Sequence, residues 1–543
     1  MQNKKILRLF SIFLVLSLLA AQAGCSRFFS SEPETPDDNY RTYYEIFVGS
    51  FFDSNGDGTG DLNGVTEKLD YLNDGEDKTD TDLGFTGIWL MPIMPSPTYH
   101  KYDVKDYTSV DPAYGTTEDF RKLAQECHAR GIKLIIDFVM NHTSAQHPWF
   151  QQAVAYYESL APDQQPDIAV CPYANYYHFS RDKAVATGWY QVGTSEWYYE
   201  AVFWDQMPDL ALENEAVRQE LANAARFWLD LGADGFRLDA VKELFSGSHA
   251  KNIETLAWFN EFVLSVNPKA VLVCEDWDTN PVTLAKYYAS GVQSFFDFPL
   301  AQATGNVAAV IKSGSGEKLA SLFIRARETY GAVLPDYIDA PFLSNHDTSR
   351  LSAQYVNDVQ KMKLAAGLLL LMDGSPFVYY GEELGMNSSG KKDENKRLPM
   401  HWSDTDRTGT PNPPKDADAV TQKFPALDEQ RSDPLSTYNY YKAGLRMRND
   451  NPELARGKTE IVSNLTSGAV CAVTKTWKAQ TILILCNIGT SEAQVKLSGT
   501  NFSSYQLRNT LQVTEETVSL KDGILTLPAY AIAVLRMSRG IFG

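Results

Sequence analysis

Four short segments place acids, imidazoles and an arginine at the ends of apolar runs. The first reads Leu-Ile-Ile-Asp137-Phe-Val-Met-Asn141-His142, and the second reads Gly-Phe-Arg237-Leu-Asp239-Ala-Val-Lys242. The third is Val-Leu-Val-Cys-Glu275-Asp-Trp277, and the fourth is Phe-Leu-Ser-Asn345-His346-Asp347-Thr-Ser-Arg350. Carboxylates and imidazoles are the side chains that transfer protons or, for a carboxylate, attack carbon. One charge at a strand end more often meets solvent or an ion-pair partner. Four such clusters in succession are harder to explain that way. Arg237 lies two residues before Asp239, so both point to the same side of a strand, and its charge favours the carboxylate form of Asp239.

A fifth segment, Asp53-Ser-Asn55-Gly-Asp57-Gly58-Thr59-Gly-Asp61, carries oxygen side chains at alternating positions around turn glycines. That spacing suits a Ca²⁺ loop with Asp53, Asn55, Asp57, Asp61 and the Thr59 carbonyl as ligands. Gly64 stands where an EF-hand has its bidentate Glu, so the loop is not an EF-hand. An Asp- and Gly-rich turn would have the same composition.

The elements that must position these residues follow from periodicity. Eight apolar, β-branched runs are predicted as strands: 44–51, 87–93, 134–139, 235–240, 271–274, 294–298, 342–344 and 377–380. Helical patterns lie between most of them, among them 117–130, 214–231 and the more uniformly apolar 359–372. Alternation of strand and helix predicts a parallel sheet, and eight units predict a (β/α)₈ TIM barrel, where side chains at the C-terminal strand ends form the site. A doubly wound open sheet is the alternative, but no G-x-G-x-x-G follows the first strand. The stretch after Asn141 is too long for a structureless loop and predicts an inserted domain after strand 3. From Gly457 the pattern becomes strand after strand, which predicts a C-terminal antiparallel β-sandwich. The expected boundaries are a barrel at 43–141 and 208–456, an inserted domain at 142–207 and a sandwich at 457–543.

Before the barrel, Lys4, Lys5 and Arg8 precede an apolar run that ends at Ala23-Gly24-Cys25. This is a secretory signal over 1–24, with an exit that resembles a bacterial lipoprotein processing site at Cys25. Residues 25–42, rich in Ser, Pro, Glu and Asp, read as a disordered tether. A formal net charge of −19 excludes a nucleic-acid surface and an anionic-membrane surface, which need Lys/Arg patches. The other five cysteines show no C-x-x-C pair and read as buried apolar residues, although Cys471 and Cys486 fall in neighbouring predicted strands.

Taken together and in this order, the four strand-end segments resemble the signature regions of glycoside hydrolase family 13, the α-amylase family. The resemblance covers Tyr43 to about Leu535. It implies that Asp239 is the nucleophile of a retaining mechanism, Glu275 its acid/base and Asp347 a third carboxylate binding sugar hydroxyls. Retention needs the two catalytic carboxyls about 5–5.5 Å apart. It further implies substrate contacts from His142, Arg237, His346 and Lys242. His100 and Tyr102 join them from Tyr99-His100-Lys101-Tyr102, where the family usually has Gly in place of Lys101. A protonated Glu275 is expected in a less polar setting beside Trp277. The Asp53–Asp61 loop is similar to the calcium loop of the oligo-1,6-glucosidase branch. Met207-Pro208-Asp209 matches members intermediate between oligo-1,6-glucosidases and neopullulanases. The expectation is endo-hydrolysis of α-1,4 bonds in starch or maltodextrin by a calcium-binding, lipid-anchored monomer of the cell envelope. Exo-acting α-glucosidase, neopullulanase and transglycosylase are alternatives within the family. A non-catalytic glycan-binding protein on the same barrel would more often have lost triad residues.

Overall fold

Seven of the eight expected runs pair in parallel in the computed structural model, which describes residues 38–537 except 77–78, 184–185 and 389–391. The spatial order is Phe377–Tyr379, Tyr43–Ile46, Gly87–Leu90, Lys133–Phe138, Gly235–Leu238, Val271–Cys274 and Ser294–Phe295. The run expected as a strand at 342–344 is not a ladder. It closes the ring through two single parallel bridges, Phe296 to Ala340 and Phe342 to Phe377. The signal, Cys25 and the tether up to residue 37 lie outside the described residues. The packed chain starts ahead of Tyr43, since Arg41 and Thr42 are already buried. Among the described residues no helix is long and apolar enough to cross a membrane.

Strand periodicity sorts the side chains into two layers. Tyr43, Trp89, Ile135, Val271, Val273, Phe296, Phe342 and Phe377 fill the barrel interior. Their alternates Tyr44, Ile88, Leu134, Phe236 and Leu272 pack outward with the helices. One step further along the inward face come the polar residues Glu45, Asp137, Arg237 and Glu275, all buried. Asp137 and Arg237 are register partners on adjacent strands.

The helices between strands end where their caps require. Thr116 and Asp119 form a reciprocal capping box ahead of Thr117–Ala129. Asn214 caps Glu215–Leu231, which stops at Gly232 with φ 112°, a left-handed turn that glycine takes at least cost.

The insert after the third strand holds the helix Pro148–Ser159 and a three-stranded antiparallel sheet of Phe179–Ser180, Tyr198–Glu200 and Trp189–Gln191. Aromatic contacts fill it, with Tyr157 and Phe179 stacked at 3.9 Å. Its return is fastened to the barrel rim, because Asn141 Nδ2 donates to Asp209 Oδ1 at 3.0 Å and Leu210 N donates to the Asn141 carbonyl.

The C-terminal region forms a five-stranded antiparallel sheet and a three-stranded one. The strand Val470–Trp477 uses its two faces separately. Ala472 faces the interior between these sheets with Leu483, Leu485 and Leu525. Cys471 and Val473 join the main core with the helices Val359–Leu371 and Thr437–Asp450. From Asn39 onward the chain is therefore one compact unit. All five cysteines from Cys127 on are free and buried, including Cys471 and Cys486, which lie directly opposite each other. Three strands had no clear alternation to announce them: Lys458–Ile461, Tyr505–Leu511 and Ile524–Leu527.

Candidate active site

At the C-terminal mouth of the barrel a single guanidinium organises three acids. Arg237 Nη1 lies 2.6 Å from Asp239 Oδ1 and 2.9 Å from Asp137 Oδ1, and its Nη2 lies 2.9 Å from Glu275 Oε2. Strand alternation explains why. Arg237 and Asp239 share a face, Asp137 is the cross-strand neighbour, and Glu275 follows the next strand. Asp239 and Glu275 are thus side by side, gripped by the two ends of one planar group.

Glu275 is held unsymmetrically. Its Oε2 accepts from Arg237 Nη2 and, at 3.0 Å, from the backbone N–H of Ala240. Its Oε1 is buried with no partner. An oxygen fixed by two N–H donors carries the negative charge of the carboxylate, so the transferable proton belongs on Oε1. Ala240 reaches this position only with φ 44°, a left-handed conformation that costs a residue with a Cβ about 1–2 kcal/mol. Burial is the main force raising the Glu275 pKa to about 7. Asp239 and Asp347 add to the rise, while Arg237 and His346 oppose it. The expected less polar setting is the burial itself. Trp277 lines the same cavity, 43% exposed and stacked on Phe298 at 4.8 Å.

Asp347 has the opposite tendency. Burial would raise it, but His346, Arg397 and Arg237 together hold it below the usual carboxylate range. His346 Nε2 is 2.9 Å from Asp347 Oδ2, and Arg397 Nη2 is 2.9 Å from Asp347 Oδ1. Two acids of unequal proton affinity therefore face one space, as acid and anion roles require.

That space is a cavity of about 360 Å³ lined by His100, Tyr102, His142, Asp239, Lys242, Glu275 and Asp347, among others. The expected contact residues meet there with two exceptions. Arg237 and His346 are buried behind the lining and act on it through their neighbours. His142 presents a buried Nε2 with no partner, and burial lowers its pKa, which favours the neutral ring. Lys101, where a glycine was usual, adopts φ 64° and turns its Nζ to Asp111 at 2.6 Å. The loop thus keeps the glycine-like backbone, and the long side chain is anchored away from the cavity. Lys242 is half-exposed, 3.7 Å from Asp278.

Sequence reasoning missed Glu45, Asp393 and Arg397. Asp393 and Arg397 line the cavity on a stretch past the last barrel strand that shows no periodic signal. Arg397 Nη1 donates to Tyr99 Oη at 2.5 Å and pairs with Asp393. Glu45 did leave a signal: a lone charge inside an apolar strand, on the inward face.

The Asp53–Asp61 loop is a tight backbone turn. Asp53 accepts from Gly56 N and Gly58 N at 2.7 Å each, and Asp61 accepts from Gly64 N at 2.7 Å as cap of the helix Leu62–Glu67. Among the described residues no three His, Cys, Asp or Glu side chains gather as metal ligands do. The oxygen-only donor set still has the chemistry a hard cation takes.

A model of the α-amylase catalytic domain matches residues 45–457, which include every residue of this cavity. The chain belongs to the α-amylase family. Alpha-amylase 3 of Dictyoglomus thermophilum is 39% identical over 426 residues, spanning 77% of this chain and 79% of the relative. The solved structure of Eubacterium rectale Amy13B superposes with a TM-score of 0.88 at 42% identity, covering 94% of this chain and 98% of the other. An α-amylase from H. orenii superposes at 0.80 with 35% identity, covering 92% and 100%. As a member of this family the chain is a glycoside hydrolase of α-glucans.

Proposed function

We propose that the protein performs retaining endo-hydrolysis of α-1,4-glucosidic bonds in starch and maltodextrins. The observation that carries this is the shared Arg237 clamp on Asp239 and Glu275 at the floor of one cavity. Asp239 attacks the anomeric carbon while Glu275 gives its Oε1 proton to the departing glycosidic oxygen. The C–O bond breaks and leaves a glycosyl ester on Asp239. Glu275, now a carboxylate, takes a proton from water. That water attacks the same carbon and frees Asp239, with configuration retained. Asp347, Tyr102 and His142 hold the sugar ring as positive charge develops on it.

Support for chain-internal cleavage comes from the cavity rim. Phe203, 46% exposed on the insert, and Trp277 both line it. Flat rings there offer stacking surfaces for sugars beyond the cleaved bond. Product analysis tests the reading. Soluble starch and end-blocked maltoheptaoside should both yield mixed short oligosaccharides early in the reaction. Glucose as the sole early product, or an inert blocked substrate, would replace it with an exo-acting reading. Faster turnover of pullulan than of starch would point to neopullulanase.

Calcium belongs to the same proposal. Asp53, Asn55, Asp57, Asp61 and the Thr59 carbonyl would hold it and brace the first strand's loop, away from the chemistry. The proposal also has the chain secreted through residues 1–24, lipidated at Cys25 and working as a monomer at the cell envelope. Metabolic labelling with a radioactive fatty acid, lost on Cys25→Ser, tests the anchor.

A further inference from the structure

Glu45 is a buried acid of the barrel mouth with no part in the reaction above. It lies on the first strand, Tyr43–Ile46, is 1% exposed, and shares the inward face with Tyr43. Its Oε1 is 2.5 Å from His346 Nδ1 and 3.4 Å from His346 N. The other ring nitrogen, Nε2, lies 2.9 Å from Asp347 Oδ2 and 2.7 Å from the Tyr102 hydroxyl. Tyr102 also stacks on the imidazole, ring centroids 5.5 Å apart at 16°. Asp347 and Tyr102 both line the cavity, whereas His346 and Glu45 do not.

We propose that Glu45 is a positioning residue for α-glucan hydrolysis, holding His346 so that its second nitrogen locks Asp347 and Tyr102 against the sugar. The role rests on the hydrolytic reading above. A neutral His346 can place one N–H at only one of its two nitrogens, so it could not donate to Glu45 and Asp347 together. A charged His346 donates to both, and a buried charged ring needs a buried counter-charge on each side. The surroundings agree. Burial opposes the charge on His346, but Asp347 and Glu45 outweigh it and push its pKa up to about 10. The other ionisable groups around it are Tyr102, Asp137, Arg237 and Glu275. None of these contacts Nδ1; among the described residues the acid on that nitrogen is Glu45.

A carboxylate that merely filled the barrel would be replaceable by an amide of the same shape. Glu45→Gln keeps that shape and removes the charge, so His346 loses its proton at lower pH than in the wild type. We expect the kcat/KM ratio of wild type to Glu45→Gln on maltoheptaoside to grow with pH. It should rise from about threefold at pH 5 to about thirtyfold or more at pH 8, carried by kcat rather than KM. Glu275 titrates in both proteins, so the ratio, not either profile, is the readout. An active wild type matched by Glu45→Gln from pH 5 to 9, or a deficit constant with pH, overturns the positioning role alone. An inert wild type overturns the hydrolytic reading and this role with it. Should Glu45→Gln fail to fold, Glu45→Asp serves the same test, because it withdraws the carboxylate from Nδ1 by one methylene. A deficit that grows with pH supports the role, and parity with wild type overturns it.

Discussion

The barrel mouth and the seam under the C-terminal sheet both bury cations among oxygens, and they differ in what is left unpaired. At the seam, Lys475 is 0% exposed, donates to the Leu371 and Leu454 carbonyls at 2.8 Å each, and pairs with Asp373. Arg448 donates to the carbonyls of Leu370, Met372 and Gly374. These two side chains satisfy the carbonyls at the end of the buried helix Val359–Leu371, which has no further turn to accept from. At the mouth, Glu275 Oε1 and His142 Nε2 are buried without partners, beside a cavity. A saturated set of charges holds elements together. A set with orphaned atoms facing a cavity is held ready for something that is not protein.

Deleting one charge from each place should separate the two regions. Asp239→Asn or Glu275→Gln should lower kcat on starch by at least about a thousandfold while starch binding persists. Neither should melt appreciably below wild type, and near-normal turnover by either would remove that residue from the mechanism. Lys475→Met should do the reverse. It leaves the Leu371 and Leu454 carbonyls without their donor and Asp373 without its cation, so stability should drop by about 2–4 kcal/mol, read by thermal or denaturant melting. Its kcat/KM should stay within about twofold of wild type at temperatures where it is folded.

A smaller effect follows from Glu275 protonation. Activity should decline as pH rises through about 7, because the acid loses the proton it must donate. The same raised pKa has a stability consequence of definite sign. The folded state keeps this proton up to about pH 7, whereas the unfolded chain releases it near the ordinary value of 4.5. Wild type therefore loses stability across that interval as pH rises. Glu275→Gln should lose less, so its melting temperature relative to wild type should improve between pH 4.5 and 7. A constant difference would mean that burial does not raise this group. The smallest effect expected is at the Asp53–Asp61 loop. EDTA should lower the melting temperature by a few degrees, and metal analysis should find about one calcium per chain. An unchanged curve and no calcium would leave the loop as a self-capped turn.

Much of this was legible from local pattern. Strand spacing put Arg237 and Asp239 on one face, and strand-end position in a barrel brought them together with Glu275 and Asp347. Caps marked helix ends at Thr116 and Gly232. Weak alternation in half-exposed strands such as Tyr505–Leu511 hid them. The last closing run, Ala340–Phe342, blurred because its bridges are single and its backbone turns to other partners.

What the sequence determined by itself was that Asp239, Glu275 and Asp347 would meet at one mouth, since a position at the end of a barrel strand assigns a side chain there. Only the tertiary structure decided which atoms stand behind them. Glu45 meets His346 across 301 positions, Arg397 meets Asp347 across 50, and Lys475 meets Asp373 across 102. Those pairings exist because the ring closes and the last sheet docks. Their strength comes from the water that closure excludes, which no spacing along the chain records.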